Sequence, residues 1–392
     1  MVSGDLEAGN GFGSTSQLLN HAQSSTYHPK IGDSLDSLDT PAMIVDIDAM
    51  EANISSMFSL LLPTGVKVRP HAKTSKSPAI MHKLIQSGAT GACVAKVSEA
   101  EVLAAAGITD LLITTEIVGG PKVARLVELV RWYPNVKTVV DSQSGATALH
   151  EALSRADVAE PLQVFIDINV GTNRTGVQPG EPALELAKCI RDLPNLRLIG
   201  VQGYEGHLQH VHDRADREAS CRAAMAVLTK TADLLRGEGF SIDTVTTGGT
   251  GTSEFCATSP GITEVQPGSF IFMDTDYRKA IGTRYANSLT ILSTVISKPE
   301  PQRAVIDAGL KSLTTDSGYA EPKLIGITYQ PQGDEHGSLT WNEKQEGVEI
   351  GDRVHIIPSH IDPTVNLHDI YYGYRQGIIE EIWPVACRGK VQ

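Results

Sequence analysis

The residues best suited to chemistry stand just beyond a proline. Val66-Lys67-Val68-Arg69 reads as a short strand that Pro70 ends, because proline cannot donate to a sheet ladder. His71-Ala72-Lys73-Thr74 is therefore displayed at the carboxyl end of a strand. A lysine ammonium with cationic neighbours, partly withdrawn from water, has its pKa lowered and can act as an amine nucleophile. Lys73, flanked by Arg69 and His71, fits that description, although a solvated basic turn is the plainer reading of the same residues. A second stretch, Thr247-Gly248-Gly249-Thr250-Gly251-Thr252, has the makings of a phosphate cradle. Its glycines permit close backbone approach, and its threonines add hydroxyl donors. It is neither of the glycine patterns that mark dinucleotide folds and P-loops, so those sites are disfavoured. Arg174 lies among turn formers and could aim a guanidinium at an anionic or phenolic oxygen, or make a surface salt bridge. In Pro358-Ser359-His360-Ile361-Asp362-Pro363, His360 and Asp362 would share one face of an extended chain. Such a pair suits a divalent ion tolerant of oxygen ligands; a structural hydrogen bond is the alternative. An imine-forming lysine opposite a phosphate cradle suggests pyridoxal 5'-phosphate (PLP).

Those residues need a scaffold, and the pattern supplies one. Short β-branched runs at 42–46, 66–70, 91–95, 111–114, 136–141, 163–168, 196–203 and 243–249 alternate with amphipathic helical stretches such as PALELAKCIRDL. Eight strand–helix units predict a (β/α)8 TIM-type barrel, with a doubly wound open sheet as the alternative. In a barrel, loops at the carboxyl ends of the strands build the site, which is where Lys73, Arg174, Tyr204, His210 and the 247–252 turn would stand. After about residue 275, strand-like runs follow one another across Gly, Pro, Asp and Asn turns, which predicts a mainly antiparallel β-domain. The expected division is a leader over 1–37, a barrel over 38–275 and a β-domain over 276–392 that carries the metal pair.

Composition excludes several classes. The 392 residues carry a net charge of -13, which argues against nucleic acid or an anionic membrane as partner. No apolar run approaches the roughly eighteen residues of a membrane helix. The leader has neither a basic n-region nor an apolar core, so a cytoplasmic protein is expected. Five scattered cysteines with no CxxC pair read as reduced, buried thiols.

Several motifs in order resemble the D-threonine aldolase and D-serine dehydratase family, relatives of the bacterial alanine racemases. They are RPHAKTSK (69–76), VAKVSEAEVLAAAG (94–107), GYEGHLQH (203–210), TGGTGT (247–252), DAGLKSLTTDSG (307–318), DEHG (334–337) and PSHIDPTVNLHD (358–369). The resemblance implies a PLP-binding barrel followed by a β-domain, the alanine racemase-like fold type III. It implies that Lys73 carries PLP as an imine, that Arg174 contacts the cofactor's phenolic side and that Tyr204 lies beside the ring. Gly249, Thr250 and Gly251, with Gly268 and Ser269, would hold the phosphate. His360 and Asp362 match the metal-ligand positions. The dehydratases of this family carry a cysteine where this chain has Asp362; a carboxylate there favours a harder cation, Mn²⁺ or Mg²⁺, and the aldolase branch. The implied reaction cleaves D-threonine and other D-β-hydroxy-α-amino acids to glycine and an aldehyde. His210 is the candidate base, with metal-bound hydroxide as its rival, and Asp334 a candidate to orient metal water. Related barrels pair head to tail, so a homodimer is expected. The competing readings are a D-serine or D-threonine dehydratase, a non-catalytic PLP carrier and a racemase. The racemase would need a second-base tyrosine among Tyr319, Tyr329, Tyr371, Tyr372 and Tyr374.

Overall fold

The computed structural model describes residues 27–392. Nine short strands come first: β1 (Ala42–Asp46), β2 (Lys67–Val68), β3 (Ala92–Val94), β4 (Leu111–Ile113), β5 (Val136–Val140), β6 (Leu162–Asp167), β7 (Leu196–Gly203), β8 (Thr244–Thr247) and β9 (Glu264–Val265). The last eight form a parallel sheet in the order β2-β9-β8-β7-β6-β5-β4-β3. Pro70 ends β2, yet the chain beyond it bonds to β3: Ala72 N–H donates to Cys93 O (2.8 Å), and Cys93 N–H to Pro70 O (2.9 Å). That pairing closes the sheet into a barrel.

The helices between these strands bury one stripe each. In Glu181–Arg191 the residues Ala183, Leu184, Leu186, Ala187 and Ile190 are buried. Pro182 sits in its first turn, where no N–H is needed, and Lys188 and Arg191 face the negative end of its dipole. Each such leucine withdrawn from water contributes roughly 1.5–3 kcal/mol. The amino-terminal end of the barrel is plugged by charges. Arg69 pairs with Asp110 (2.7 Å) and Glu264 (3.0 Å), and Lys137 with Asp110 (2.6 Å).

The barrel differs from the expected strand list at both ends. The run 42–46 is not a barrel strand. It lies in the second sheet, antiparallel to β10 (Leu289–Glu300) and parallel to β16 (Ile370–Arg375). A helix follows it, Ile47–Leu61, and both its faces are covered, so its sequence cannot be told from that of a barrel strand. The eighth barrel strand is instead β9, two residues long and too short to give a pattern.

The second sheet runs β13-β14-β11-β10-β1-β16-β17, built from β11 (Arg303–Ile306), β13 (Thr328–Pro331), β14 (Gly337–Thr340) and β17 (Ile378–Pro384), with β15 (Arg353–Ile357) pairing β10 and β12 (Glu321–Pro322) pairing β15. Every pairing in it except β1–β16 is antiparallel. Residues 32–35 bond along β17, with Gly32 N–H to Ile379 O at 2.8 Å and Leu35 N–H to Gly377 O at 2.7 Å. The rest of the expected leader, residues 1–26, lies outside the described residues. No helix among the described residues is long and apolar enough to cross a membrane, and all five cysteines are free thiols.

The two units are fastened beside Lys73. Tyr371 donates its hydroxyl to Ser75 O (2.6 Å), and Cys387 N–H to Lys76 O (2.9 Å). Lys76, held at φ 49°, buries its ammonium against Glu99 at 2.7 Å, while the other Glu99 oxygen takes Ala95 N–H at 2.9 Å. Removing one partner of a buried pair strands the other charge in a poor solvent. Glu99→Ala is expected to cost about 3–5 kcal/mol of stability, measured by urea unfolding. A loss below 1 kcal/mol, the range of an exposed pair, would contradict this assignment.

Candidate active site

A cavity of about 230 Å³ opens at the carboxyl ends of the barrel strands. Of the eleven residues singled out in the sequence, ten line it: Lys73, Arg174, Tyr204, His210, Gly249, Thr250, Gly268, Ser269, His360 and Asp362. Gly251 does not. Its N–H is taken by Gln209 Oε1 at 2.9 Å, behind the turn. Asp334 stands in an exposed turn away from the cavity, its carbonyl accepting Lys311 N–H (3.0 Å). None of the five tyrosines considered as a second base lines the cavity; Tyr204 and Tyr277 do.

Lys73 stands 41% exposed into this space, with Nζ 3.6 Å from Asp362 Oδ2. The lysine is not acidified as its neighbours in sequence suggested. Asp362's carboxylate raises its pKa and outweighs burial and the Arg174 charge, both of which lower it. Arg69 is absent from the site because it points to the opposite end of the barrel. His71 is no cation either: burial, then the charges of Lys73 and Arg174, push its pKa well below the ordinary imidazole value. Its Nε2 bonds Thr114 Oγ1 at 3.0 Å.

The glycine-rich turn follows β8, with Gly248 at φ +84°, a conformation that side chains resist. Across from it, a Cβ on Gly268 would come within 2.8 Å of Thr74 Oγ1, a fully buried hydroxyl that has no protein partner. An amine open to the cavity, an unpaired hydroxyl and two turns cleared of side chains form a donor set that fits PLP. Arg174 lies over the Tyr204 ring, 5.6 Å from its centroid.

His360 and Asp362 reach the cavity by a different geometry from the extended one expected. His360 is the extended residue before a short helix, Ile361–Val365, and Asp362 sits in its first turn. The chain bends there because Asp274, fully buried, accepts Ile361 N–H at 3.0 Å and Tyr277 N–H at 2.8 Å. His360 Nδ1 bonds Asp316 Oδ2 at 2.5 Å, which leaves Nε2 as its ligand atom. Asp362 Oδ1 is buried without a partner. An imidazole fixed by a carboxylate, beside an unsatisfied carboxylate oxygen, fits a divalent cation. His210 packs against Tyr277 at a tilt of 47°, 4.3 Å between ring centroids. Its Nδ1 is 3.0 Å from Asp276 Oδ2, within ion-pair range but not aligned as a hydrogen bond. Asp316, Asp276 and Tyr277 escaped the sequence reading. Asp316 lies inside the DAGLKSLTTDSG motif, whereas the other two carry no local signal.

The model of the alanine racemase N-terminal domain matches residues 45–276, and a serine dehydratase domain matches 288–374. The chain belongs to the alanine racemase N-terminal domain family. Within that family it is 40% identical over 365 residues to a D-threonine aldolase from Arthrobacter sp, spanning 91% of this chain and 95% of that protein. It is 38% identical over 367 residues to a 3-hydroxy-D-aspartate aldolase from Paracoccus denitrificans (strain Pd 1222), spanning 90% and 93%. The crystal structure of a D-threonine aldolase from Filomicrobium marinum superposes with a TM-score of 0.89 at 39% identity, covering 93% of this chain and 100% of that one. The dehydratases it resembles are more distant, at 30% identity or less.

In this alanine racemase-type barrel the loop that carries Arg174 is anchored on acids. Thr175 Oγ1 donates to Asp167 Oδ2 (3.2 Å) and Gln202 Nε2 to Asp167 Oδ1 (2.9 Å). Glu116, with one buried unpaired oxygen, is pushed up to about 7 by burial and then by the Asp167 charge. Between its ordinary 4.5 and 7 the folded protein therefore holds a proton that the unfolded chain has lost, so this carboxyl makes stability fall as pH rises. Glu116→Gln is expected to raise Tm relative to the parent at pH 8 and to leave it unchanged at pH 4. A Tm difference that does not grow between these values would refute the assignment.

Proposed function

We propose that this protein is a PLP- and divalent-metal-dependent aldehyde-lyase of the D-threonine aldolase type. It cleaves D-threonine and other D-β-hydroxy-α-amino acids reversibly to glycine and an aldehyde. The observation that carries this reading is the convergence of Lys73 from the barrel with His360 and Asp362 from the β-domain, at 3.6 Å between Nζ and the carboxylate. A substrate held at Lys73 thus has its β-carbon substituents within reach of the metal pair.

Lys73, Arg174, Tyr204, Thr250 and Ser269 would hold PLP, whose bound ring supplies an electron sink for the carbanion left when a carbon–carbon bond breaks. His360 and Asp362 would hold Mn²⁺ or Mg²⁺, which supplies Lewis acidity toward a β-hydroxyl. The chain's own residues do the rest. Asp316 fixes the His360 ring and its tautomer. His210, oriented by Asp276 and by packing against Tyr277, takes the β-hydroxyl proton. We assign the same barrel-and-β-domain unit to a cytoplasmic homodimer.

The dehydratase reading predicts 2-oxobutanoate and ammonia from D-threonine. The aldolase reading predicts acetaldehyde and glycine, with L-threonine spared; an oxo acid as the main product would overturn it. Lys73→Ala is expected to abolish imine absorbance on adding PLP. His360→Ala should leave that absorbance intact and stop cleavage; normal cleavage would remove the metal from the mechanism. Asp316→Ala is expected to raise the metal concentration for half-maximal activity about 10- to 100-fold with the cofactor spectrum unchanged. An unchanged metal requirement would show that the His360–Asp316 bond plays no part.

A further inference from the structure

The GYEGHLQH stretch contributes Tyr204 and His210 to the cavity, but its acidic residue faces the other way. Glu205 is fully buried. Thr252 Oγ1 (2.5 Å), Gln209 Nε2 (3.1 Å) and Cys256 Sγ (3.6 Å) donate to Glu205 Oε1, and Thr247 Oγ1 (2.9 Å) donates to Oε2. Cys221 Sγ lies 3.5 Å from Cys256 Sγ, so two thiols and a carboxylate cluster as metal ligands do. Both carboxylate oxygens are already engaged by protein donors, however, so the cluster is a hydrogen-bond frame rather than an ion site.

The donors on Glu205 have second tasks, and these lead to the glycine-rich turn. Thr252 Oγ1 accepts Gly249 N–H at 3.2 Å, and Gln209 Oε1 accepts Gly251 N–H at 2.9 Å. Gln209 Nε2 also donates to Thr252 Oγ1 at 2.9 Å, which locks the two together. The fit is close: a Cβ on Gly249 would come within 2.5 Å of Gln209 Oε1, and one on Gly251 within 2.3 Å of Gln209 O. Drawing the Gly249 and Gly251 amides down onto this frame leaves Thr250 between them facing the cavity, where its Oγ1 accepts Phe270 N–H from the second turn at 3.1 Å. One carboxylate, out of reach of any ligand, thereby sets the shape of both turns.

We infer that Glu205 is a positioning residue that pre-forms the phosphate seat of the cavity by holding the 247–252 turn from beneath through Thr252 and Gln209. The inference rests on the PLP reading of the site and assigns the phosphate to that turn. A seat that is rigid before binding does not have to be ordered at the moment of binding, so loss of the frame weakens the phosphate-bearing ligand selectively. The carboxylate acts here as an acceptor. A glutamine can replace it, because Thr247 Oγ1 already has Gly203 O within 2.6 Å as an alternative acceptor and can receive an amide N–H in return.

The test compares two aldehydes that differ only in the phosphate. Cofactor-free parent, Glu205→Ala and Glu205→Gln proteins are titrated with PLP and with pyridoxal, following imine absorbance at Lys73. Glu205→Ala is expected to weaken PLP about tenfold or more, the effect of losing buried hydrogen bonds, and to change pyridoxal by less than about twofold. Glu205→Gln is expected to restore PLP affinity. Inorganic phosphate should slow PLP binding to the parent and have little effect on the alanine variant. Equal losses for both aldehydes, or none for either, would overturn the inference. If the alanine variant does not fold, Thr252→Val, which removes the hydroxyl on Gly249 N–H at nearly constant volume, is read in the same way and judged by the same outcomes. Parent protein that forms an imine with neither aldehyde would instead remove the PLP reading itself.

Discussion

An ammonium and a carboxylate 3.6 Å apart, delivered by two different sheets, set the terms for the rest of the molecule. Lys73 and Asp362 are far apart in sequence, and neither is placed by its own element alone. Lys73 follows a strand of two residues, and Asp362 sits in the first turn of a helix of five. Elements this short do not hold a side chain in register unless other groups fix their ends. Ser75 and Lys76 are fixed by Tyr371, Cys387 and Glu99, and Ile361 by Asp274. A buried carboxylate with two backbone amides on it resists movement, because losing either amide leaves an oxygen unsatisfied in a dry environment. Asp274 is fully buried, and that burial pushes its pKa up to about 6. It also caps the helix Thr275–Ile281 that carries Asp276 and Tyr277, so a single side chain sets the spacing between the His360–Asp362 turn and the residues beside His210.

The same logic explains what could be read from the sequence and what could not. Residues that meet a ligand carry their chemistry in their identity, and turns that approach one carry it in their glycines; hence Lys73, Arg174, Gly249, His360 and Asp362 stood out. The frame beneath them was invisible. Glu205, Gln209 and Asp274 are ordinary polar residues whose meaning lies in contacts across 42 and 87 positions of chain. Charge state was misread for a related reason. Arg69, His71 and Lys73 fall at alternate positions within five residues of chain and appear as one basic cluster. The closing of the barrel at Pro70 sends Arg69 down to Glu264, buries His71 as a neutral ring and turns Lys73 toward Asp362. Sequence proximity is not spatial proximity at the end of a strand.

Fold class was legible because it rests on repetition, which survives the loss of any one element. Strand membership was not. Ala42–Asp46 has the length, the β-branched content and the following helix of a barrel strand, and only its neighbours, β10 and β16, show that it belongs to the other sheet. Its position there has a consequence. The helix Ile47–Leu61 leaves the mixed sheet and packs on the barrel, with Asn53 Nδ2 donating to Ile271 O and Ala286 O at 3.2 and 2.8 Å. The boundary between the units is thus crossed early in the chain, and the mixed sheet is tied to the barrel through both its first strand and its last residues.

The three imidazoles at the cavity show how neighbours divide the chemistry. His71 is committed to Thr114 and kept neutral by burial and by the charges of Lys73 and Arg174, so it is a poor proton acceptor. His360 has one nitrogen on Asp316 and the other left for an ion. His210 alone keeps freedom: its side chain is 38% exposed, its carboxylate neighbour is close but misaligned, and its ring rests against the tilted Tyr277 ring rather than on a hydrogen bond. A group that must accept a proton and return it needs a partner that steadies either state without locking one of them. The loose Asp276 contact stabilises the cation when it forms while the tilted Tyr277 ring keeps the imidazole in place, which suits His210 to moving a proton and leaves His360 suited to holding an ion.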